Sequence, residues 1–506
     1  GKRQDLPMVN ILNPNGTLNA NAGKYQGMTV LAARKQVFAD LEALGLVVAV
    51  EDRLIDLAHS DRSKTPIEPY LADQWFVKMD RLAQAAMQAV TDGRVKILPE
   101  RYTKGYLDWL AEKRDWPVSR QLWWGHQIPV WSKAARDQEE CDQLAGAIRP
   151  QCEWHADVAV LWVEEDEELA AAKAQGGDEY ERARRERPVA TLHVCLKEDH
   201  AGLVSTLESL GLERSPDVLD TWFSSGLWPH STMGWPERTP ELDFFYPTSV
   251  LITSRDIITL WVARMVLMGL NNMGQVPFPE VFIHPKILDG YGETMSKSKG
   301  NGIDPLDVID KFGADALRFG MAHLTTETQD VRMPVQFECP HCEGLIEQTK
   351  KNRELPRIKC DKCGQAFSTQ WARSDEDRAL PRGPVVSERF EVARNFCNKL
   401  WNAARFALIN LKDYAPAPVP DAELTLEDRW VLSRLATVTE QVTAALEAYR
   451  YSDAARTLYD FAWDEFCSFF LEIVKNRLQD ENRRAHAQRI LAHTLDVLLR
   501  LLHPMT

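Results

Sequence analysis

The chain lacks any apolar run long enough to cross a bilayer. Its strongest, residues 257–270, is cut by Arg264 and falls short of the roughly 20 residues a membrane helix needs, so no membrane partner is expected. It also lacks an excess of positive charge. Against 60 Lys and Arg stand 74 Asp and Glu, giving a net charge of -14 and a pI near 5.5, so a nucleic acid would have to meet a local basic surface. Cysteine is scarce, nine in 506 residues, and four of the nine form two CxxC pairs while the rest are scattered. That argues against a disulfide framework and for metal binding in a reducing compartment, the cytoplasm. There is no initiator methionine and no signal-peptide apolar core. GKRQDLPMVN reads as a strand entered midway, and a piece of a longer chain is the expectation. No internal repeat or low-complexity tract stands out, the composition is that of an ordinary globular protein, and the length calls for three or four separate cores.

Residues 1–100 alternate short apolar runs with turn signals such as Asn13-Pro14-Asn15-Gly16, followed by a helical stretch over 29–44 that Gly45 ends. Residues 101–130 are rich in Trp and Arg. An acidic, Ala-rich segment with Glu/Arg helical periodicity follows and predicts a solvated helical insertion over about 133–215. Beyond it, strand-like runs at 249–253 and 281–283 flank a helical run at 256–270, the order of βαβ units, which predicts a parallel sheet. Asp304-Pro305 supplies an N-cap and first turn for a helix that should stop near Gly313. Residues 331–385 break this pattern with Pro, Cys and charge clusters. From about 386 to 506 apolar residues recur at helical spacing, predicting an α-helical bundle.

The segment Gly292-Glu293-Thr294-Met295-Ser296-Lys297-Ser298-Lys299-Gly300-Asn301 joins a predicted strand to the Asp304 helix. Such a loop can wrap an anion, because lysine offers a compact charge, hydroxyls add hydrogen bonds and glycines let the backbone approach. Lys297 is the first choice for stabilising charge that develops on a departing phosphate, with Ser296 and Ser298 beside it. Composition alone leaves a polar surface loop with two solvated lysines equally open. The run from Asp220 to Pro229 packs Trp222 and Trp228 among small hydroxyl residues; two indoles can shape a pocket for a small side chain or fill a core. Cys339 and Cys342, then Cys360 and Cys363, are two knuckles separated by 17 residues, the pattern of a closed, structural four-thiolate zinc site, with His341 a competing ligand. Lys350-Lys351-Asn352-Arg353 beside them is a solvated charge run or an RNA contact.

MSKSKGN resembles the second signature of the class I aminoacyl-tRNA synthetases, the KMSKS loop, and the residues from Asp304 to Leu306 and from Gly313 to Arg318 match its neighbourhood. The match departs at Thr294, which stands where the family has its first lysine; Lys297 is retained. DVLDTWFSS followed by LWP resembles the valine-specific branch rather than the isoleucine or leucine ones, making Trp222 a candidate for the amino-acid pocket. SRQLWWGHQIP, residues 119–129, resembles another segment of the family's catalytic half. The stretch around Ser254-Arg255-Asp256 and Trp261 resembles its nucleotide-contacting strand-to-helix element, with Ser254 in place of a usual glycine and His284 in place of another.

By this resemblance the fold is α/β, a doubly wound parallel Rossmann-type sheet over 101–330, with the tail of an editing domain over 1–100, a zinc ribbon over 331–385 and a truncated anticodon-binding bundle over 386–506. The chemistry implied is activation of valine with ATP and Mg2+ and transfer to tRNA(Val), by an enzyme monomeric at full length. Asp256, Met295, Lys297 and His284 would bind nucleotide, and Trp222 and Trp261 the amino acid. The family's first signature, an HxGH string, occurs nowhere in the chain, so half of the ATP site is missing from it. Editing suits such a family, because an apolar pocket rejects a hydroxyl isostere only about a hundredfold, valine against threonine being the known instance. The competing expectation is a tRNA-binding or assembly module without catalysis.

Overall fold

The computed structural model describes residues 9–60, 63–70, 72–154, 159–166, 169–170, 188–198, 200–296, 299–327 and 329–506. They form two compact units, Gly1–Lys78 with Asp115–Thr221, and Met79–Arg114 with Trp222–Thr506.

In the first unit, local signals act as chain chemistry dictates. Gly16, at φ +78°, closes the Asn13 turn by donating its N–H to the Asn13 carbonyl at 2.9 Å. Thr29 caps the helix Val30–Ala43, and Gly45 at φ +65° ends it. The insertion departs from the helical expectation. Among its described residues a four-stranded antiparallel sheet runs in the order Ala159–Glu165, Ala190–Leu196, Val130–Ala135, Glu213–Arg214, with the helices Gln138–Trp154 and Ala201–Ser209 sharing its core. Short apolar runs such as Ala190–Leu196 have no period that separates a buried strand from a helix, and the Glu/Arg periodicity of their surroundings outweighed them. Much of that charged stretch, 171–187, lies outside the described residues.

In the second unit three parallel strands form the sheet that positions the site, in the order Val250–Ser254, Glu280–His284, Lys96–Leu98. The connection between the first two is the expected helical crossover, which begins as the tight turn Arg255–Ile257, widens over Ile258–Val262 and becomes the α-helix Ala263–Met273. Residues 262–269 of this crossover are all buried. A second parallel pair, Ile287–Asp289 with Val331–Met333, follows immediately. Asp304 caps Pro305–Phe312 through its carboxylate, and Gly313 at φ +95° stops that helix where the sequence predicts.

The cysteine-bearing insertion is built of short antiparallel ribbons around Phe337, Ile346, Ile358 and Phe367. The bundle follows: Glu391–Asn410, Leu426–Glu447, Tyr451–Asp460 running on through Phe461–Phe470 into Leu471–Gln479, and Glu481–Leu502. Its core is continuous with that of the helix Ala314–Leu324, where Phe319 stacks on Phe396 with centroids 4.4 Å apart. Within the bundle the fully buried Asp428 accepts two hydrogen bonds from Arg477, at 2.7 and 2.9 Å, and one from His486 at 2.8 Å. Among the described residues no helix is long and apolar enough to cross a membrane.

Candidate active site

In parallel α/β sheets, ligands settle outside the carboxyl ends of the strands. Ser254 and His284 face each other in register at that end. His284 is exposed, and its Nδ1 lies 2.9 Å from the Pro285 carbonyl, to which it donates in the matching tautomer. Arg255 grips Asp330 with both guanidinium nitrogens, at 2.9 and 2.7 Å, and Asp330 also accepts from the Lys286 backbone N–H at 3.0 Å. The guanidinium hydrogen bond holds the Asp330 carboxyl below its ordinary range. Asp256 pairs with Lys286. Any donor reaching Asp256 would therefore share the carboxylate with that ammonium, a partner not legible in the residue order.

Trp222 is half-buried on the helix Thr221–Ser231. Trp261, also half-buried, donates its indole N–H to the Ser225 carbonyl at 3.0 Å, one turn beyond Trp222. The two helices close on each other at Gly226, where a Cβ would lie 3.3 Å from the Cβ of Arg264. Both tryptophans thus sit on helical segments that touch each other. Trp123 and Trp124 belong to the first unit, where their side chains are almost fully exposed.

The lysine-serine loop is closed at its base by a buried pair the sequence reading passed over. Asp289 and Asn301 are 3% and 1% exposed, and the Asn301 amide donates to Asp289 Oδ2 at 2.8 Å. The other carboxylate oxygen accepts the backbone N–H groups of Tyr291 and Glu293 at 3.0 and 2.8 Å, so Asp289 organises both legs of the loop. Asn301 Oδ1 accepts from the Ser296 N–H at 2.9 Å, and Ser296 Oγ accepts from the Lys299 N–H at 3.3 Å. Met295 is half-buried and packs against the core of the cysteine insertion, pointing its side chain to a packing role. Lys297 and Ser298 lie outside the described residues. An Asp at the end of an apolar run, 12 residues before an Asn, is the faint sequence trace of this clamp.

Cys339, Cys342, Cys360 and Cys363 converge, with all four sulfurs within 4.8 Å of one another; the 339–363 and 342–360 separations are 3.6 and 3.7 Å. Tetrahedral zinc with bonds of about 2.3 Å sets its sulfurs roughly 3.8 Å apart, so the four thiols fit that ion. The backbone N–H of Cys363, with that of Lys362, draws the Cys360 thiol down to about 6, toward the thiolate a metal needs. At Cys342 the N–H of Gly344 is outweighed by burial and by the other three sulfurs, and the thiol rises to about 12. His341 turns to the Ala366 carbonyl at 3.2 Å, outside the cluster.

A family model described as tRNA synthetases class I (I, L, M and V) matches residues 25–334. The chain belongs to the class I tRNA synthetases. A second model, the anticodon-binding domain of tRNA ligase, matches residues 428–506, the later helices of the bundle. Among curated relatives, the valine–tRNA ligase of Rhodopirellula baltica is 62% identical over 505 residues, covering 100% of this chain and 47% of that protein. Those of Syntrophotalea carbinolica and Carboxydothermus hydrogenoformans are 39% and 40% identical, again over 100% of this chain and 45% of theirs. The chain spans about half the length of the curated relatives it matches. The methionyl-tRNA synthetase of Mycobacterium tuberculosis, solved with methionyl-adenylate, aligns with TM-score 0.53 at 15% identity over 90% of this chain and 64% of its own, a likeness of fold. The synthetase fold expected from the sequence is therefore present, with its parallel sheet, its helical domain and a four-cysteine cluster able to hold a metal.

Proposed function

We propose that the protein carrying this chain at the full length of its relatives is a valine–tRNA ligase, a cytoplasmic monomer that activates valine with ATP and Mg2+ and charges tRNA(Val). The observation that carries this reading is the 62% identity over 505 residues, covering 100% of this chain, to a relative of that name. In it, Lys297 stabilises the departing diphosphate with Ser296 and Ser298 beside it, Asp256 and His284 border the nucleotide, and Trp222 and Trp261 wall the amino-acid side chain. Residues 1–100 are then the end of the editing domain that removes mischarged threonine, 101–330 the second catalytic half with its insertion, 331–385 a zinc ribbon and 386–506 the start of the anticodon-binding bundle. Zinc closes the ribbon and takes no part in the reaction, because four thiolates leave it no open position.

Clamping of the loop's base by Asp289 and Asn301 supports a role for this loop in the reaction, since support set before the reaction costs no reorganisation during it. Valine-dependent ATP–pyrophosphate exchange by the full-length protein tests the reading. Lys297→Ala should slow the exchange about a hundredfold or more, the scale of one lost preorganised donor. Exchange that is absent with valine, or driven equally by isoleucine, refutes it; retained tRNA binding without exchange would favour the non-catalytic module.

A further inference from the structure

The cysteine insertion follows the lysine-serine loop in the chain, and four observations tie the two together. Gln348, 6% exposed, donates its amide to the Gly300 carbonyl at 3.0 Å. Arg353, whose side chain is 15% exposed, donates to Glu293 Oε2 at 2.9 Å and lies 4.0 Å from Asp289 Oδ2. Gly300 sits at φ +65° so tightly against the insertion that a Cβ would lie 2.6 Å from Trp371 Nε1 and 2.9 Å from the Arg353 carbonyl. Met295 and Ile303 add apolar contacts to the insertion's core. Lys350 also reaches Glu293, at 2.6 Å, but it is 58% exposed and adds little.

Both legs of the loop are therefore held from one side by the insertion, Glu293 by Arg353 and Gly300 by Gln348 and Trp371. The link through Arg353 is the most specific, because a largely buried guanidinium beside two carboxylates has a fixed direction and neutralises charge that Asp289 and Glu293 would otherwise set against each other. A metal-closed ribbon is rigid where a bare loop is not, and rigid support places a reacting group more precisely than a loop alone does.

We propose that the four-cysteine insertion is a brace for the lysine-serine loop, with Arg353 the positioning residue that fixes the loop's base through Glu293. This rests on the loop serving the adenylation step proposed above, although the brace itself is a physical property of the chain.

The experiment uses Arg353→Glu and the conservative Arg353→Lys in the full-length protein with metal in the ribbon. Amide hydrogen exchange over residues 289–301 reports the brace directly. Valine-dependent ATP–pyrophosphate exchange reports its use. R353E should exchange the loop amides at least about tenfold faster and lower kcat by about ten- to a hundredfold with KM for valine unchanged, the pattern of a group misplaced only for the reaction. R353K, which keeps a cation beside Glu293 and Asp289, should retain most of the loop's protection and of kcat, while metal content and amide protection at 339–363 stay as in the parent in each variant. Unchanged loop exchange in R353E overturns the proposal, as does a loss in R353K as large as that in R353E. Should the parent itself show no valine-dependent exchange, the assigned function fails, and the loop amides alone still decide the brace.

Discussion

Replacing Asn301 with alanine removes the amide that holds the loop's two legs together. Three hydrogen bonds go at once: to Asp289 at 2.8 Å, from the Ser296 N–H at 2.9 Å and to the Thr294 carbonyl at 3.3 Å. The first is charge-assisted and lies in a site where both side chains are at most 3% exposed. The Asp289 carboxylate keeps its two backbone donors on Oδ1 but loses the donor on Oδ2. Leaving a buried charged acceptor short of a partner costs about 2 kcal/mol and an orphaned backbone N–H about 1 more, so the closed loop should lose roughly 3 kcal/mol. At about 1.4 kcal/mol per factor of ten, that is an opening equilibrium shifted by about a hundredfold. Because the loss is local, it should be read locally, as amide exchange over residues 289–301, while the thermal transition of the helical bundle stays put. Exchange in N301A within twofold of the parent would refute the reasoning, since the pair would then be holding nothing. Asn301→Asp should do worse than alanine, because it sets a second carboxylate against Asp289 in the same buried space.

Three further outcomes are expected. Cys339, Cys342, Cys360 and Cys363 could hold a metal; if they do, a chelator should unfold the ribbon, since a site of this kind contributes binding energy directly to folding, and the bundle should keep its melting temperature; metal titration followed by amide exchange checks it. In the bundle, Arg477→Ala takes the guanidinium from the fully buried Asp428, leaving it the donors of Thr425 and His486, and should cost about 3 kcal/mol, seen as a lower helical melting temperature. Burial of the Asp428 carboxyl works to raise it, but the hydrogen bonds from Arg477, Thr425 and His486 prevail and hold it below the ordinary carboxylate range. A depressed carboxyl stabilises the fold above its unfolded value and loses that contribution as the pH falls through the folded one. Acid melting of the parent should therefore begin below about pH 4, and Asp428→Asn should flatten this dependence. A melt that R477A leaves unmoved, or an acid profile the same in both proteins, removes the ion pair from the account.

The local signals in this chain were legible because they act within a few residues. Thr29 and Gly45 bound a helix, Asp304-Pro305 starts one and Gly313 stops it, and two CxxC knuckles announce a metal cluster, each through backbone conformation or ligand chemistry carried by the residues themselves. The parallel order of Val250–Ser254 and Glu280–His284 was likewise visible, since a helical run between two apolar ones leaves little else to build. The antiparallel sheet of the insertion was not, because a buried strand of seven residues has no period of its own and needs neighbours to become a strand. Nor were the partners of the site. Whether Asp256 meets Lys286, whether Asn301 meets Asp289 across 12 positions and whether Arg353 meets Glu293 across 60 depends on where the chain brings distant segments together, and charge or amide chemistry alone names no partner. Sequence by itself decided the family, through short strings whose residues are recognisable where they stand; tertiary structure alone decided what holds the loop, because much of that support comes from an insertion whose contribution exists only once it has folded against it.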